Sequence, residues 1–132
     1  MAKGKGFFIV LIGMSLAVAI LFTQLPTQGF DTDLDAIGQG QPAVVLGFIN
    51  HSPRGIEAMG KLGDVRDGYE DQVVFRVADI LSRDGEGEAF SERYNAGDGV
   101  IALFDGEGNH LGSHRVPDTE AQLRELLDPL LE

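Results

Sequence analysis

Three histidines are the side chains best suited to metal or acid–base chemistry. His51 directly precedes Ser52, whereas His110 and His114 are four residues apart on a predicted strand. Successive side chains of a strand point to opposite faces, so His110 and His114 are expected on one face, where Zn²⁺ or Cu²⁺ accepts imidazole ligands. Two histidines on an edge hairpin are also a common surface pattern. We favour that interpretation and predict no metal and no cofactor.

Catalysis by a nucleophile is not expected. A Ser-His-Asp triad needs side chains that converge from separate parts of a fold, which adjacent residues such as His51 and Ser52 rarely do. The sequence also has no nucleophile-elbow motif. Thiol–disulfide exchange is excluded, because it requires cysteine sulfur and the chain contains no cysteine. We therefore predict a protein without catalytic residues.

The tetrapeptide from His51 to Arg54 predicts the start of a helix. Ser52 is a favourable N-cap, and Pro53 suits the first helical position. Arg54 would then lie at the helix N-terminus, where it could bind a carboxylate or another anion. A plain helix cap is the simpler interpretation of the same residues.

A long uncharged segment lies near the N-terminus. Residues 7–22 contain no charged side chain, and the uncharged run continues to Pro26. A helix needs about 20 residues to cross the hydrocarbon core, so residues 7–25 are predicted to form one transmembrane helix. No small-x-small cleavage site follows the apolar run, which favours a retained anchor over a cleaved signal peptide.

The positive charges predict the orientation of this helix. Lys3 and Lys5 precede it, and no acidic residue does. The positive-inside rule places residues 1–6 in the cytoplasm and the rest of this single-pass protein beyond the membrane. In a bacterium, the anchor would lie in the inner membrane and the C-terminal domain in the periplasm.

Small residues along the predicted span suggest a helical partner. Gly13 and Ala17 are four residues apart, as are Ser15 and Ala19. Small residues at this spacing let transmembrane helices approach closely. The span is therefore predicted to pack, within the lipid bilayer, against helices of a membrane protein complex.

The region beyond the span is strongly acidic. Residues 30–132 carry all 21 acidic side chains but only 8 of the 10 basic ones, a net charge of −13. Such a surface repels nucleic acids and anionic headgroups. It suits a basic protein partner, and adaptation to salt or solubility explains it equally well.

Residues 26–41 are predicted to form a linker. Three aspartates alternate along it, at Asp31, Asp33 and Asp35. A calcium loop that began at Asp31 would need Gly at its sixth position and Glu at its twelfth. Those positions hold Ala36 and Pro42, so a solvated spacer is the better interpretation.

Residues 42–132 predict elements in the order β-α-β-α-β-β-α. The strands are expected at residues 43–49, 72–79, 100–104 and 110–116, and the helices begin near Ser52, Gly87 and Thr119. A helical crossover makes the first two strands parallel, whereas the last two form a hairpin. The predicted fold class is α/β with a mixed four-stranded sheet. The first helix is expected to bury Ile56, Met59, Leu62 and Val65.

The second half of this domain resembles the thioredoxin family. The resemblance rests on Tyr94, the strand Val100–Phe104, the turn Asp105-Gly106-Glu107 and the helical segment 122–127, and it extends over about residues 42–131. It implies a thioredoxin-like domain. The family's Cys-x-x-Cys falls at about residues 52–56, its buried acid on Gly47 and its cis-proline on Gly99. The loss of all three implies a redox-inactive member.

The resulting hypothesis is a non-catalytic, membrane-anchored thioredoxin-like protein. It would be an accessory or assembly subunit of a larger membrane complex, such as an energy-transducing one, with an acidic extracytoplasmic docking domain. The alternative is a peptide-binding holdase that uses the degenerate groove of the domain. The candidate binding residues for either role lie on two loops: His51, Ser52, Pro53, Arg54, Asn95, Asp98 and Gly99.

Overall fold

The computed structural model describes residues 27–132. The predicted cytoplasmic N-terminus and the predicted transmembrane helix, with Gly13, Ser15, Ala17 and Ala19, lie outside these residues. Within residues 27–132, no helix combines the length and the apolar character that crossing a bilayer requires.

The described part of the chain contains seven main elements in the predicted order. They are β1 (Ala43–Phe48), α1 (Pro53–Arg66), β2 (Val74–Asp79), α2 (Glu86–Tyr94), β3 (Val100–Phe104), β4 (His110–Arg115) and α3 (Glu120–Leu127). Short 3-10 helices occupy Leu34–Ala36 and Asp128–Leu131.

The four strands form one mixed sheet in the order β2-β1-β3-β4. β1 is parallel to β2 and antiparallel to β3, and β3 pairs with β4 as a hairpin. All six residues of β1 are buried, as its continuous apolar run predicts. The prediction of an α/β fold with a mixed four-stranded sheet is confirmed.

Both predicted helix caps are present. The Ser52 hydroxyl accepts a hydrogen bond from the Gly55 amide, and Pro53 is the first residue of α1. Thr119 caps α3 in the same way, because its hydroxyl accepts from the amide of Gln122 at 3.2 Å. Satisfying these free amides stabilises each helix end by about 1 kcal/mol.

The prediction that Ile56 begins the buried face of α1 is wrong. Met59, Leu62 and Val65 are buried, but Ile56 is 53% exposed. Gly55 takes the inward position instead, where a Cβ would be 2.6 Å from an Asp98 carboxylate oxygen and 3.3 Å from the Phe48 Cβ. The buried stripe therefore begins at a glycine and leaves Ile56 in solvent.

The segment expected to be a solvated spacer packs against the domain from Phe30 onwards. Phe30 is only 4% exposed, and the Arg66 guanidinium lies 4.4 Å from its ring centroid. The next residue, Asp31, forms a parallel β-bridge with Arg76 of β2. The buried Phe30 ring and this bridge hold the start of the segment against the domain.

The alternating aspartates of this segment cap successive turns. An Asp31 carboxylate oxygen accepts from the amide of Asp33 at 2.9 Å, and an Asp33 oxygen accepts from the amide of Asp35 at 3.0 Å. These are local Asx turns, in which short acidic side chains bond the backbone two residues on. Their spacing has a structural cause that does not involve calcium.

A buried tyrosine predicts a loss of stability in alkali. The Tyr69 hydroxyl donates to an Asp128 carboxylate oxygen at 2.5 Å. Burial, then this carboxylate, raises the pKa of Tyr69 above its usual value of 10.0. Because the fold favours the neutral phenol, the stabilisation is complete below about pH 10 and is lost as the pH rises through the pKa of the folded state.

The expected result is a free energy of unfolding that falls more steeply above pH 10 in the native protein than in Tyr69→Phe. Denaturant titrations of both proteins between pH 8 and pH 12 would measure it, with far-UV circular dichroism as the probe. Parallel pH profiles of the two proteins would contradict the assignment.

Candidate functional site

The two loops with the predicted binding residues meet at the carboxyl end of β1. Asp98, from the loop before β3, accepts from the Ile49 amide at 2.9 Å through one carboxylate oxygen and from the Ser52 hydroxyl at 2.5 Å through the other. The Ser52 oxygen also accepts from the Gly55 amide at 3.5 Å. We call Ile49, Ser52, Gly55 and Asp98 the Ser52–Asp98 cluster.

The hydrogen bonds of this cluster are internal. The Ser52 hydroxyl donates to Asp98 and caps α1, so its proton and one of its lone pairs already have partners. Each carboxylate oxygen of Asp98 also accepts one of these hydrogen bonds. Such an arrangement holds one loop against the other.

His51 is next to this cluster in sequence and takes no part in it. It occupies the tight turn closed by the Ser52 amide, which donates to the Ile49 carbonyl oxygen at 3.0 Å. Its φ of 67° is in the left-handed region, and its side chain is exposed. Within residues 27–132 its imidazole makes no hydrogen bond to Ser52 or Asp98, so the three side chains do not form a triad.

Backbone fills the position at which the resemblance places a buried acid. The carbonyl groups of Ala96 and Gly97 cross directly over Gly47, and a Cβ there would lie 2.7 Å from the Gly97 oxygen and nearer still to that of Ala96. The Gly99 amide also donates to the Gly47 oxygen at 2.9 Å. Glycine at position 47 is therefore required by the close approach of the loop.

Gly99 stands at the position where the resemblance places a cis-proline, and its backbone conformation excludes proline. Gly99 has a φ of +83°, which a proline ring, fixed near −65°, cannot adopt. The aliphatic part of Arg54 covers this glycine, because a Cβ at position 99 would be 2.8 Å from the Arg54 Cγ. The two loops thus contact each other at Arg54 and Gly99.

Asn95 has a structural role at the other end of this loop. It is the C-cap of α2 with a φ of 55° in the left-handed region, which asparagine tolerates better than most residues. Its side chain is exposed, and it does not belong to the Ser52–Asp98 cluster. The predicted set therefore divides into a bonded pair, a covered glycine, a helix cap and exposed neighbours.

A small groove runs beside Arg54 and Gly99. It has a volume of about 160 Å³ and also contacts Glu57, Lys61, Arg115 and Asp118. The Lys61 ammonium lies 3.2 Å from Glu57 and 3.7 Å from Asp118, whereas Arg54 and Arg115 form no salt bridge within residues 27–132. Sequence reasoning missed Arg115, although the hairpin register pairs it with Val100, next to Gly99.

The expectation that His110 and His114 share a face is wrong. Phe104 pairs with His110 and Leu103 with Gly112, so Leu111 is an extra residue in the edge strand. The bulge reverses the alternation. His110 lies 5.0 Å from the ring centroid of Tyr94 on the α2 side, whereas His114 pairs with Ile101, whose side chain belongs to the opposite core.

Comparisons with known proteins place this geometry in a known fold. No protein-family model matches the chain, and no curated protein matches it. Solved structures do match. A thioredoxin from Thermus thermophilus is 15% identical with a TM-score of 0.63, over 77% of this chain and 85% of that one. The domain has the thioredoxin-like fold.

Two further solved structures are similar to this domain. A designed protein is 25% identical with a TM-score of 0.59, over 82% of this chain and 96% of that one. Thioredoxin O2 from Arabidopsis thaliana is 15% identical with a TM-score of 0.57, over 74% and 82%. The thioredoxin-like scaffold is thus combined here with a chain that has no cysteine.

Proposed function

We propose that this protein is a non-catalytic, membrane-anchored subunit that assists or assembles a larger membrane complex. The observation that carries the proposal is the Ser52–Asp98 cluster. At the redox position of the thioredoxin-like scaffold, the polar groups are bonded to each other, and serine stands where chemistry would need a thiolate. A scaffold of this kind can still bind a partner through its exposed surface.

The charge of that surface supports a docking role. Most of the acidic side chains are exposed, and only Glu57, Asp118 and Glu120 pair with cations within residues 27–132. The helix α2 alone presents Glu86, Glu88 and Glu92 to solvent. Uncompensated negative charge of this kind attracts a basic partner and speeds its association at low salt.

The groove beside Gly99 favours docking over the holdase alternative. A holdase needs an apolar surface that accepts many unfolded segments. This groove is about 160 Å³ in volume, and five of its eight lining residues are charged: Arg54, Glu57, Lys61, Arg115 and Asp118. A single charged or polar partner segment suits it better than a range of apolar clients.

The proposal predicts that bulky residues on the predicted span release the complex. The test is purification of the tagged full-length protein in mild detergent, with mass spectrometry of the proteins that accompany it. The double variant Gly13→Leu and Ala17→Leu should reduce the recovery of a stoichiometric partner about tenfold, because close helix contact contributes on the order of 1–2 kcal/mol.

Val18→Leu is the matched control, since it adds volume to the same span without altering Gly13, Ser15, Ala17 or Ala19. It should leave the partner bound. Equal recovery with all three proteins would reject a contact through the small residues. A broad set of substoichiometric clients, rather than one complex, would support the holdase instead.

A further inference from the structure

The described chain enters the domain along the outer side of α1. The Phe30 amide closes a turn by donating to the Thr27 carbonyl oxygen at 2.9 Å. Within this turn, the Gln28 side-chain amide donates to the Ile56 carbonyl oxygen at 3.4 Å. The Phe30 ring then packs beside Gly63 and Arg66, further along the same helix. The entry point is therefore fixed beside the first turns of α1.

The short chain between the predicted span and this entry point limits how far the domain can stand from the bilayer. The span is proposed to end at residue 25, three residues before Gln28. Three extended residues reach about 10 Å at most. The headgroup layer on each side of the hydrocarbon core is about 5–8 Å thick. Gln28, and the turn of α1 that it contacts, must then lie at or next to the headgroups.

The surface at this place is suited to the membrane interface. Ile56 is 53% exposed although it is large and apolar, and Pro53 and Arg54 are exposed on the same first turn. Pro53 and Ile56 are three residues apart, so they lie on one face of the helix, and Glu57, the acidic residue of this turn, is paired with Lys61 at 3.2 Å. Exposed apolar side chains on one face of a helix are the feature that interfacial helices insert among lipid headgroups.

We propose that the first turn of α1 rests on the bilayer, with Ile56 inserted at the interface. This inference rests on the anchor proposed above. It assigns the side of α1 that carries Ile56 to the lipid surface and leaves the groove beside Gly99 to a protein partner. The acidic surface that does not face the membrane is then the part available to a protein partner.

The absence of cysteine allows a sharp test, because a single introduced cysteine carries the only label. Ile56→Cys reports on the proposed interface. Leu111→Cys is the matched control: it is similarly apolar and 57% exposed, and it lies at the hairpin end of the sheet, away from the start of α1. Each full-length variant would be labelled with the fluorophore NBD and reconstituted in phosphatidylcholine nanodiscs with and without nitroxide-labelled lipid.

The expected result is a blue-shifted emission at position 56 and quenching by nitroxide lipid several-fold stronger than at position 111. Equal quenching at the two positions would overturn the proposal while leaving the anchor intact. A label at position 56 that is shielded in native membranes but exposed in nanodiscs would assign this surface to a protein and also overturn it. Failure of the protein to enter nanodiscs at all would reject the anchor itself, and this inference with it.

Discussion

Replacing Gly47 with alanine is expected to lower the free energy of unfolding by about 3 kcal/mol, a large effect for one methyl group. The Ala96 and Gly97 carbonyl groups occupy the space that the new Cβ needs. Both neighbours are backbone atoms, so the clash can be relieved only by moving the loop away from β1. That movement also breaks the bond from the Gly99 amide to the Gly47 oxygen.

Urea unfolding of the full-length protein in detergent would measure this loss. Far-UV circular dichroism is the suitable probe, because the chain contains no tryptophan. Aspartate at position 47, the acid that the thioredoxin family would place there, should cost at least as much as alanine. It would add an ionised group to a site with no space for it.

The matched control is Gly60→Ala, in the interior of α1. A Cβ at position 60 would meet no atom within 4 Å, so alanine there should stabilise the protein by about 0.5–1 kcal/mol through the higher helix propensity. A lower free energy of unfolding in Gly47→Ala and a higher one in Gly60→Ala would confirm that the close approach of the loop requires glycine at position 47. An unchanged free energy of unfolding in Gly47→Ala would show that the loop does not cross the strand as described.

Most of the fold could be predicted from the sequence, because its elements carry strong local signals. β1 is a continuous apolar run, and Ser52 with Pro53, and Thr119 with Gln122, are recognisable helix starts. These signals arise from interactions between residues close in sequence, so they do not depend on how the elements pack. The order of strands and helices then limits the sheet to very few topologies.

Three features could not be predicted, because each depends on contacts between distant segments. Ile56 is exposed and Gly55 faces inward, close to Asp98 and Phe48, which are distant from it in the sequence or on another element. The separation of His110 from His114 follows from one extra residue at Leu111, which leaves no composition signal. The contact between the two predicted binding loops could not be predicted either. Ser52 and Asp98 were both predicted as site residues, but the bond that joins them spans 46 positions.

Replacing Asp98 with alanine is the second change with a large expected effect, a loss of about 3 kcal/mol in the free energy of unfolding. Asp98 accepts from the Ile49 amide and the Ser52 hydroxyl. Hydrogen bonds to a charged group contribute about 1.5–3 kcal/mol each, and the half-buried Ile49 amide would lose its partner. A carboxylate kept for a ligand behaves differently, because removing a binding group often stabilises the free protein.

A double-mutant cycle with Ser52→Ala separates the two roles of Asp98. The serine variant should lose about 2 kcal/mol, about 1 through its cap and about 1 through its bond to Asp98. The double variant should then lose about 1 kcal/mol less than the two single losses together, because both changes remove the same bond. Additive losses would mean that the Ser52–Asp98 bond contributes nothing to stability. An Asp98→Ala variant more stable than the native protein would instead favour a ligand-binding role for Asp98. Coupled losses would instead show that the fold itself uses these groups.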